Sequence, residues 1–491
     1  MNTPLRKVAI GVMVMIVALM GNATYVQVIK ADSLRADPRN SRVLLDEYSR
    51  KRGQITTFDG QILAKSVATD DRFKYQRQYS ENPAAYAPVT GFYSIQYGSD
   101  GLERAEDGIL SGSDNLLFSR RFITMLQGRD PEGGNVVSTI NPLVQQAAYN
   151  GLTKRGYTGS VVALEPSTGK ILGMVSTPSF DPGALAGHDG TTVTQAYNEL
   201  ANDSGRPLSN RATKELYPPG SIFKIITAAA GLEHGVTPET SVTGAAEIPL
   251  PGSSAVLPNY GNSKCGDGKS VTLTYAFQHS CNTAFAELSQ QIGEDDFRDK
   301  AKDFGVGVKS PGTPLPVVDS RLGDIPDEAA LMQSAIGQKD VAITPLEGAV
   351  MAATVANGGV RMKPQLVAGE QGPDRSNVWT MDPESLGEAM SPTIAQQITA
   401  MMIESEKYSF SGAGGYLGGV QVASKTGTAD PYTGPQDPPY CWYVAFAPAK
   451  NPTIAVAVMV ENGGNGSTSA VGATVAGPIG HEVLQAGLQG Q

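Results

Sequence analysis

The sequence predicts an α+β architecture, an antiparallel sheet packed by helices, over the larger part of a 491-residue chain. Three observations carry this prediction. Residues 160–165 form an apolar run, Pro166-Ser167-Thr168-Gly169 a turn, and residues 171–176 a second run, which together read as a hairpin. Towards the other end, residues 442–447 and 454–460 are two further apolar runs of strand length. Between these pairs the spacing turns helical: Ile222, Ile225, Ile226 and Ala229 share one face, and residues 349–357 read as a small-residue helix stopped by Gly358-Gly359.

Composition excludes several classes. Lys and Arg number 38 against 48 Asp and Glu, a net charge of −10, so no basic nucleic-acid footprint is present. Forty per cent hydrophobic residues is ordinary for globular domains with large cores. The four histidines (His188, His234, His279, His481) and three cysteines are scattered without C-x-x-C or H-E-x-x-H. No metal site and no cofactor are therefore expected. No fixed-period repeat is seen.

At the N-terminus, Arg6 and Lys7 precede an apolar run over residues 8–20, which weakens through Gly21-Asn22-Ala23 and resumes at Val26, Val28 and Ile29. Two readings compete. The short run with small residues behind it fits a cleaved signal peptide. The longer span, residues 8–29, is about the ~20 residues needed to cross a bilayer. Both put the N-terminus in the cytoplasm and the bulk of the chain outside it.

Residues 31–145 form a different, polar region. Asp59-Gly60 is a natural hairpin turn between Ile55 and Ile62. Arg50-Lys51-Arg52 reads as a solvated basic face. The region holds no nucleophile–base set, so a pedestal or interaction role is expected. Residues 1–30, 31–145 and 146–491 are thus read as tip and anchor, non-catalytic module and catalytic domain.

Within the last, Tyr217-Pro218-Pro219-Gly220 makes a stiff turn that delivers Ser221 to the N-cap or first turn of a helix. Lys224 lies three residues on, on the same face, at the positive end of the helix dipole. A serine hydroxyl is a weak nucleophile until a base takes its proton, and a lysine held partly neutral is such a base. Taken alone, S-x-x-K is more often a capping serine and a solvated lysine. Two later motifs change that weighing: Ser280-Cys281-Asn282 and Lys425-Thr426-Gly427-Thr428. Ser80-Glu81-Asn82 also matches S-x-N but has no such company. S-x-x-K, S-x-N and K-T-G in this order mark serine β-lactamases and penicillin-binding proteins.

Here the chain resembles the penicillin-binding proteins. Arg52-Gly53-Gln54-Ile55 with residues 59–64, Gly101-Leu102-Glu103 with residues 110–112, and residues 137–141 with Gln145 resemble the signatures of class B, the monofunctional transpeptidases. The short N-terminal module and the Ala/Gly/Val/Thr-rich composition look most like the actinobacterial penicillin-binding protein A group. Ser334-Ala335-Ile336-Gly337-Gln338 with Thr344-Pro345 is similar to a further family segment, in which Lys339 replaces a glycine. The resemblance covers roughly residues 45–490. It implies a five-stranded sheet with an all-helical subdomain, Ser221 between them, and an uncleaved anchor.

It also implies a division of labour. Ser221 forms the acyl-enzyme and Lys224 accepts its proton. Ser280 relays a proton to the leaving amine, and Asn282 holds the acyl amide and orients Lys224. Lys425 supplies positive charge near a terminal carboxylate, which Thr426 and Thr428 bond, and Gly427 lets a ligand approach the backbone. The backbone N–H groups of Ser221 and Thr428 form the oxyanion hole. Glu165 is left in a structural role. The implied substrates are peptidoglycan stem peptides ending in D-Ala-D-Ala, and β-lactams acylate the same serine. A role in cell division or cell shape follows, at the cytoplasmic membrane. No glycosyltransferase domain fits residues 31–145, so a SEDS-family glycosyltransferase and other division or elongation proteins are implied partners. Rival readings are a β-lactam sensor, a β-lactamase or a D,D-carboxypeptidase with the same motifs, and a non-enzymatic scaffold.

Outside the cytoplasm three cysteines allow one disulfide and one free thiol. Cys265–Cys281 is the nearest pair in sequence and would tie the turn-rich insert between the first two motifs to the S-x-N turn. Cys281–Cys441 is the rival pairing, and three free thiols are the third state. Residues 365–395 are polar and loop-like, with no role assigned.

Overall fold

The computed structural model describes residues 3–30, 48–117, 132–431 and 437–489. Residues 31–47 and 118–131 of the expected non-catalytic module lie outside them. Helix α1 (Thr3–Thr24) is exposed throughout and buries none of its residues in the protein. With the turn that follows, it gives a 25-residue span with an 18-residue window of mean hydropathy 1.9, the one helix among the described residues long and apolar enough to cross a membrane.

The first sheet is built from β1 (Ile55–Thr56), β2 (Ile62–Ala68), β3 (Tyr75–Tyr79) and β4 (Asn135–Ser138). Gly60, at φ +91°, makes the turn between β1 and β2 that Asp59-Gly60 predicts. One expectation fails here. Residues 365–395 are not a loop: Val367–Gln371 and Asn377–Thr380 form an antiparallel pair, the first strand of which pairs with β4. The six-stranded sheet is therefore completed by strands donated from the second half of the chain. Their polar faces hide the strand signal, because only the β4 edge identifies them.

Val367–Gln371 is β7 and Asn377–Thr380 is β8; the second sheet contains β5 (Gly159–Leu164), β6 (Ile171–Thr177), β9 (Ala423–Ala429), β10 (Tyr440–Ala447) and β11 (Ile454–Val460). Leaving β7 and β8 to the first sheet, the order is β9-β10-β11-β5-β6 with every pair antiparallel. Both faces are covered, which is why β11 reads Ile-Ala-Val-Ala-Val-Met-Val without polar alternation. Val161, Ala163, Val456 and Val458 turn to one face, against α2 (Pro142–Thr153) and the C-terminal helix Gly477–Gln489. Val162, Leu164, Ala457 and Met459 turn to the other, where the helical layer begins.

In that layer α3 (Lys224–Glu233) is buried on all sides from Lys224 to Leu232, the pattern of a helix at the centre of a domain. Leu273–Gln278 (α4), Asn282–Ile292 (α5) and Glu294–Asp303 (α6) follow; Gly293, at φ +85°, divides the last two. Pro345–Ala356 (α7) starts on Pro345 with Thr344 as its capping acceptor.

The basic run at residues 50–52 needs a correction. Arg52 is buried, not solvated. Its Nε donates to Glu103 Oε2 at 2.7 Å, and Arg77 Nε donates to the other oxygen at 2.5 Å. Burial alone would raise the Glu103 carboxyl, but Arg77 and Arg52 together hold it below its ordinary value.

Candidate active site

The turn that carries Ser221 is fixed from three directions. Tyr217 exchanges both backbone hydrogen bonds with Ile343, each 2.9 Å. The Trp442 indole N–H donates to the Pro218 carbonyl at 3.0 Å. Gly220 N–H donates to Gly337 O at 2.9 Å. Gly220 sits at φ +53°, a region that suits glycine, and turns the chain into a 3-10 turn, Gly220–Phe223, ahead of α3. Ser221 is thus in the turn before the helix, half-buried, and Lys224 is the first residue of α3.

Lys224 is fully buried, and its three donors all have acceptors. Nζ lies 2.7 Å from Ser280 O, 2.7 Å from Asn282 Oδ1 and 3.3 Å from Ser280 Oγ. Between Ser221 Oγ and Lys224 no hydrogen bond forms among the described residues. Burial, and after it the charge of Lys425, hold the Lys224 ammonium well below the ordinary lysine value. Lys425 is fully buried as well, and burial brings it down to about 7. Its Nζ donates to Ser280 Oγ at 2.9 Å and to Thr426 O at 3.0 Å. Each ammonium also faces a ring, Phe285 at 5.6 Å and Phe277 at 5.7 Å.

Ser280 Oγ therefore lies between two buried lysines. The residue has φ +59°, left-handed and disfavoured for a side chain, at the turn between α4 and α5. That turn is pinned by the insert before it. Cys281 is joined to Cys265, and Cys441 is a buried free thiol raised to about 12 by burial. Asn259, itself buried, accepts from Thr283 N at 3.0 Å and donates to Ala245 O at 2.9 Å. Asn282 spends its oxygen on Lys224 and one N–H on Pro258 O, at 3.1 Å.

On the opposite wall, β9 carries Lys425 through Thr428. Ser424, beside Lys425, donates to the buried Glu406, which also accepts from Tyr443 OH and contacts His481 Nε2. Gly427 also has a packing reason to lack a side chain: a Cβ there would meet Pro219 O at 2.9 Å and Ile222 Cγ2 at 3.0 Å. The strand closes directly on the Ser221 turn. Ser221, Ser280, Asn282, Thr426 and Thr428 all line one open cleft. Glu165 accepts from Thr168 and pairs with Lys170 at 3.5 Å, far from any of these groups in its bonding. Ser80 and Asn82 take no part in the cleft lining.

The structure thus brings Lys224, Ser280, Asn282 and Lys425 into one hydrogen-bonded network under a cleft that Ser221 borders. Motif reading missed Gly337 and Trp442, which hold the turn. Gly337 carried a signal in its family segment; Trp442 looked like any apolar strand residue. Among the described residues no group of three or more His, Cys, Asp and Glu is placed to hold a metal.

Two family models match the chain: the penicillin-binding protein transpeptidase domain over residues 159–485, and the penicillin-binding protein A dimerisation domain over residues 52–136. The chain is 53% identical to the peptidoglycan D,D-transpeptidase PbpA of Mycolicibacterium smegmatis, over 100% of this chain and 99% of that one. It is likewise 53% identical to PbpA of Mycobacterium tuberculosis, over the full length of both. The structure of penicillin-binding protein A from M. tuberculosis as a ceftriaxone acyl-enzyme superposes with a TM-score of 0.88 at 52% identity, over 91% of this chain and 100% of that one. The imipenem acyl-enzyme of the same protein gives 0.86 at 51% identity, over 91% and 100%.

Proposed function

The chain belongs to the penicillin-binding protein transpeptidases, and from that membership we propose that it cross-links peptidoglycan through an acyl-enzyme on Ser221. It is a peptidoglycan D,D-transpeptidase that takes stem peptides ending in D-Ala-D-Ala as donors and is acylated by β-lactams. The observation that carries the reading is the convergence of Lys224, Ser280, Asn282 and Lys425 beneath the Ser221 cleft.

The geometry supports the following roles. A neutral Lys224 has two N–H donors, and two acceptors at 2.7 Å, Ser280 O and Asn282 Oδ1, claim them. Its lone pair is left to take the Ser221 proton as Oγ attacks the donor carbonyl. Ser280 Oγ accepts from Lys425, so its own proton is available to the leaving D-Ala amine. The backbone N–H groups of Ser221 and Thr428 bind the developing oxyanion, at about 3 kcal/mol per donor. Lys425 supplies positive charge near the terminal carboxylate, which Thr426 and Thr428 bond, and Asn282 holds the acyl amide with its remaining N–H. An amine from a second stem then accepts the acyl group; with water in its place the same site would act as a carboxypeptidase.

Residues 1–30 anchor the chain in the cytoplasmic membrane in a single pass, supported by the exposed apolar span of α1. Residues 31–145 serve as the non-catalytic module and residues 146–491 as the catalytic domain, which lies outside the cytoplasm. A SEDS-family glycosyltransferase supplies the glycan strands, and the complex acts in division or cell shape.

The test is labelling with a fluorescent penicillin, read by intact mass. A stable adduct on the wild type that is absent from Ser221→Ala supports the acyl-enzyme. Penicillin hydrolysis without an adduct would replace the reading by a β-lactamase, and neither adduct nor hydrolysis by a scaffold.

A further inference from the structure

One charged residue on the cleft wall has no part in the acyl-transfer chemistry. The segment 337–339 closes the cleft beside Ser221. Gly337 lies so close that a Cβ on it would sit 2.2 Å from Gly220 O. Two peptide steps further, at ~3.8 Å each, stands Lys339. Its φ is +64°, a left-handed conformation disfavoured for any residue with a Cβ, and the position where the family segment carries glycine. A lysine is held there despite that cost, and a non-glycine residue kept in such a conformation points towards function.

The side chain is exposed and borders the cleft together with Ser221 and Gln338. It forms no ion pair among the described residues. Asp430 is the one carboxylate among the described residues of the cleft wall, and no ion pair joins it to Lys339. Lys224 and Lys425 are fully buried beneath the floor and donate to Ser280, Asn282 and Thr426. Among the described residues Lys339 is thus the accessible ammonium of the cleft. Its four-carbon stem gives it a wide sweep over the entrance, and it offers three donors to an oxygen anion.

We infer that Lys339 is a specificity-determining residue that reads a second carboxylate of the bound peptide, distinct from the C-terminal one at Thr426 and Thr428. The inference rests on the reading of the cleft as a peptide acyl-transfer site. It concerns recognition only, so it is tested without turnover.

The experiment measures equilibrium binding to the full chain in detergent carrying Ser221→Ala, by calorimetry or NMR titration. Two synthetic peptides ending in D-Ala-D-Ala are compared, one with a free side-chain carboxylate and one with that group amidated. Binding of the free acid is expected to be about five-fold tighter, the range of a part-exposed ion pair. Adding Lys339→Gln or Lys339→Gly should equalise the two peptides, and Lys339→Arg should keep the preference. Lys339→Gly also removes the left-handed conflict, so its loss of preference is not a folding defect. A preference that survives Lys339→Gln overturns the inference, as does equal binding of both peptides or binding of neither. Failure of the acyl-transfer reading shows itself separately, as absence of a penicillin adduct on Ser221 in the otherwise unaltered chain.

Discussion

Gly337→Ala should cripple acylation without touching a motif residue. At φ +73°, the added Cβ would lie 2.2 Å from Gly220 O, and 2.8 Å from both Gly220 N and Phe223 Cβ. An unstrained contact needs roughly 3.5 Å. Two of these neighbours are backbone atoms and cannot swing aside, so the Gly220–Ser221 turn has to move by about 1 Å. It also loses the alignment of the Gly220 N–H with Gly337 O. A displacement of that size at a reacting atom costs on the order of 100-fold, or about 2.7 kcal/mol of barrier. Gly358→Ala is the control. Gly358 has a similar φ of +66° but nothing within 4 Å of the added Cβ, so it carries the left-handed cost and no collision. The assay is the second-order rate constant of acylation by a fluorescent penicillin, with a thermal melt to establish that each variant is folded. A folded Gly337→Ala within about three-fold of wild type would refute the claim that this contact sets Ser221. Equal impairment by Gly358→Ala would refute it as well.

Two further outcomes follow from charge. Lys224 acts only as a free amine, and burial and Lys425 hold it well below the ordinary lysine range, so acylation should fall as acid protonates it. Lys425 loses its charge as the pH rises past about 7, so donors bearing a carboxylate should react more slowly on the alkaline side. The expected pH profile of kcat/KM is a bell; a rate climbing steadily to the ordinary lysine range near ~10.4 would overturn the assignment. Glu103→Gln should leave the buried Arg77 without a carboxylate and Arg52 with Asp107 alone and destabilise the protein by about 3 kcal/mol. Urea unfolding reads that loss, with acylation per folded molecule unchanged. A change under about 1 kcal/mol would mean that this ion cluster is solvated after all.

Legibility tracked the range of each interaction. The central sheet was readable because β11 and its neighbours are buried on both faces and so form unbroken apolar runs. The pairing of Arg52 with Glu103 spans 51 residues, and nothing in Arg50-Lys51-Arg52 distinguishes the buried arginine from the exposed lysine. The strands at 367–371 and 377–380 were missed for the same reason: their partner is β4, more than 200 residues earlier. In the site, the motifs pointed to Lys224, Ser280 and Lys425, but not to the Ser280 hydroxyl lying between the two lysines. Gly427 reads as room for a ligand; that its Cβ position also abuts Pro219 is set by the fold.

By itself the sequence determined the chemistry: a serine three residues before a lysine on a helix start, two further motifs in order, and an apolar N-terminal span. These are local facts of spacing, and spacing survives in a string. Tertiary structure decided which protonation states that chemistry has. Lys224 and Lys425 have lowered proton affinities because residues 201 apart are buried together, with Ser280 Oγ at 3.3 Å from one and 2.9 Å from the other. Desolvation and Coulomb repulsion depend on distance in space, and only the fold sets that.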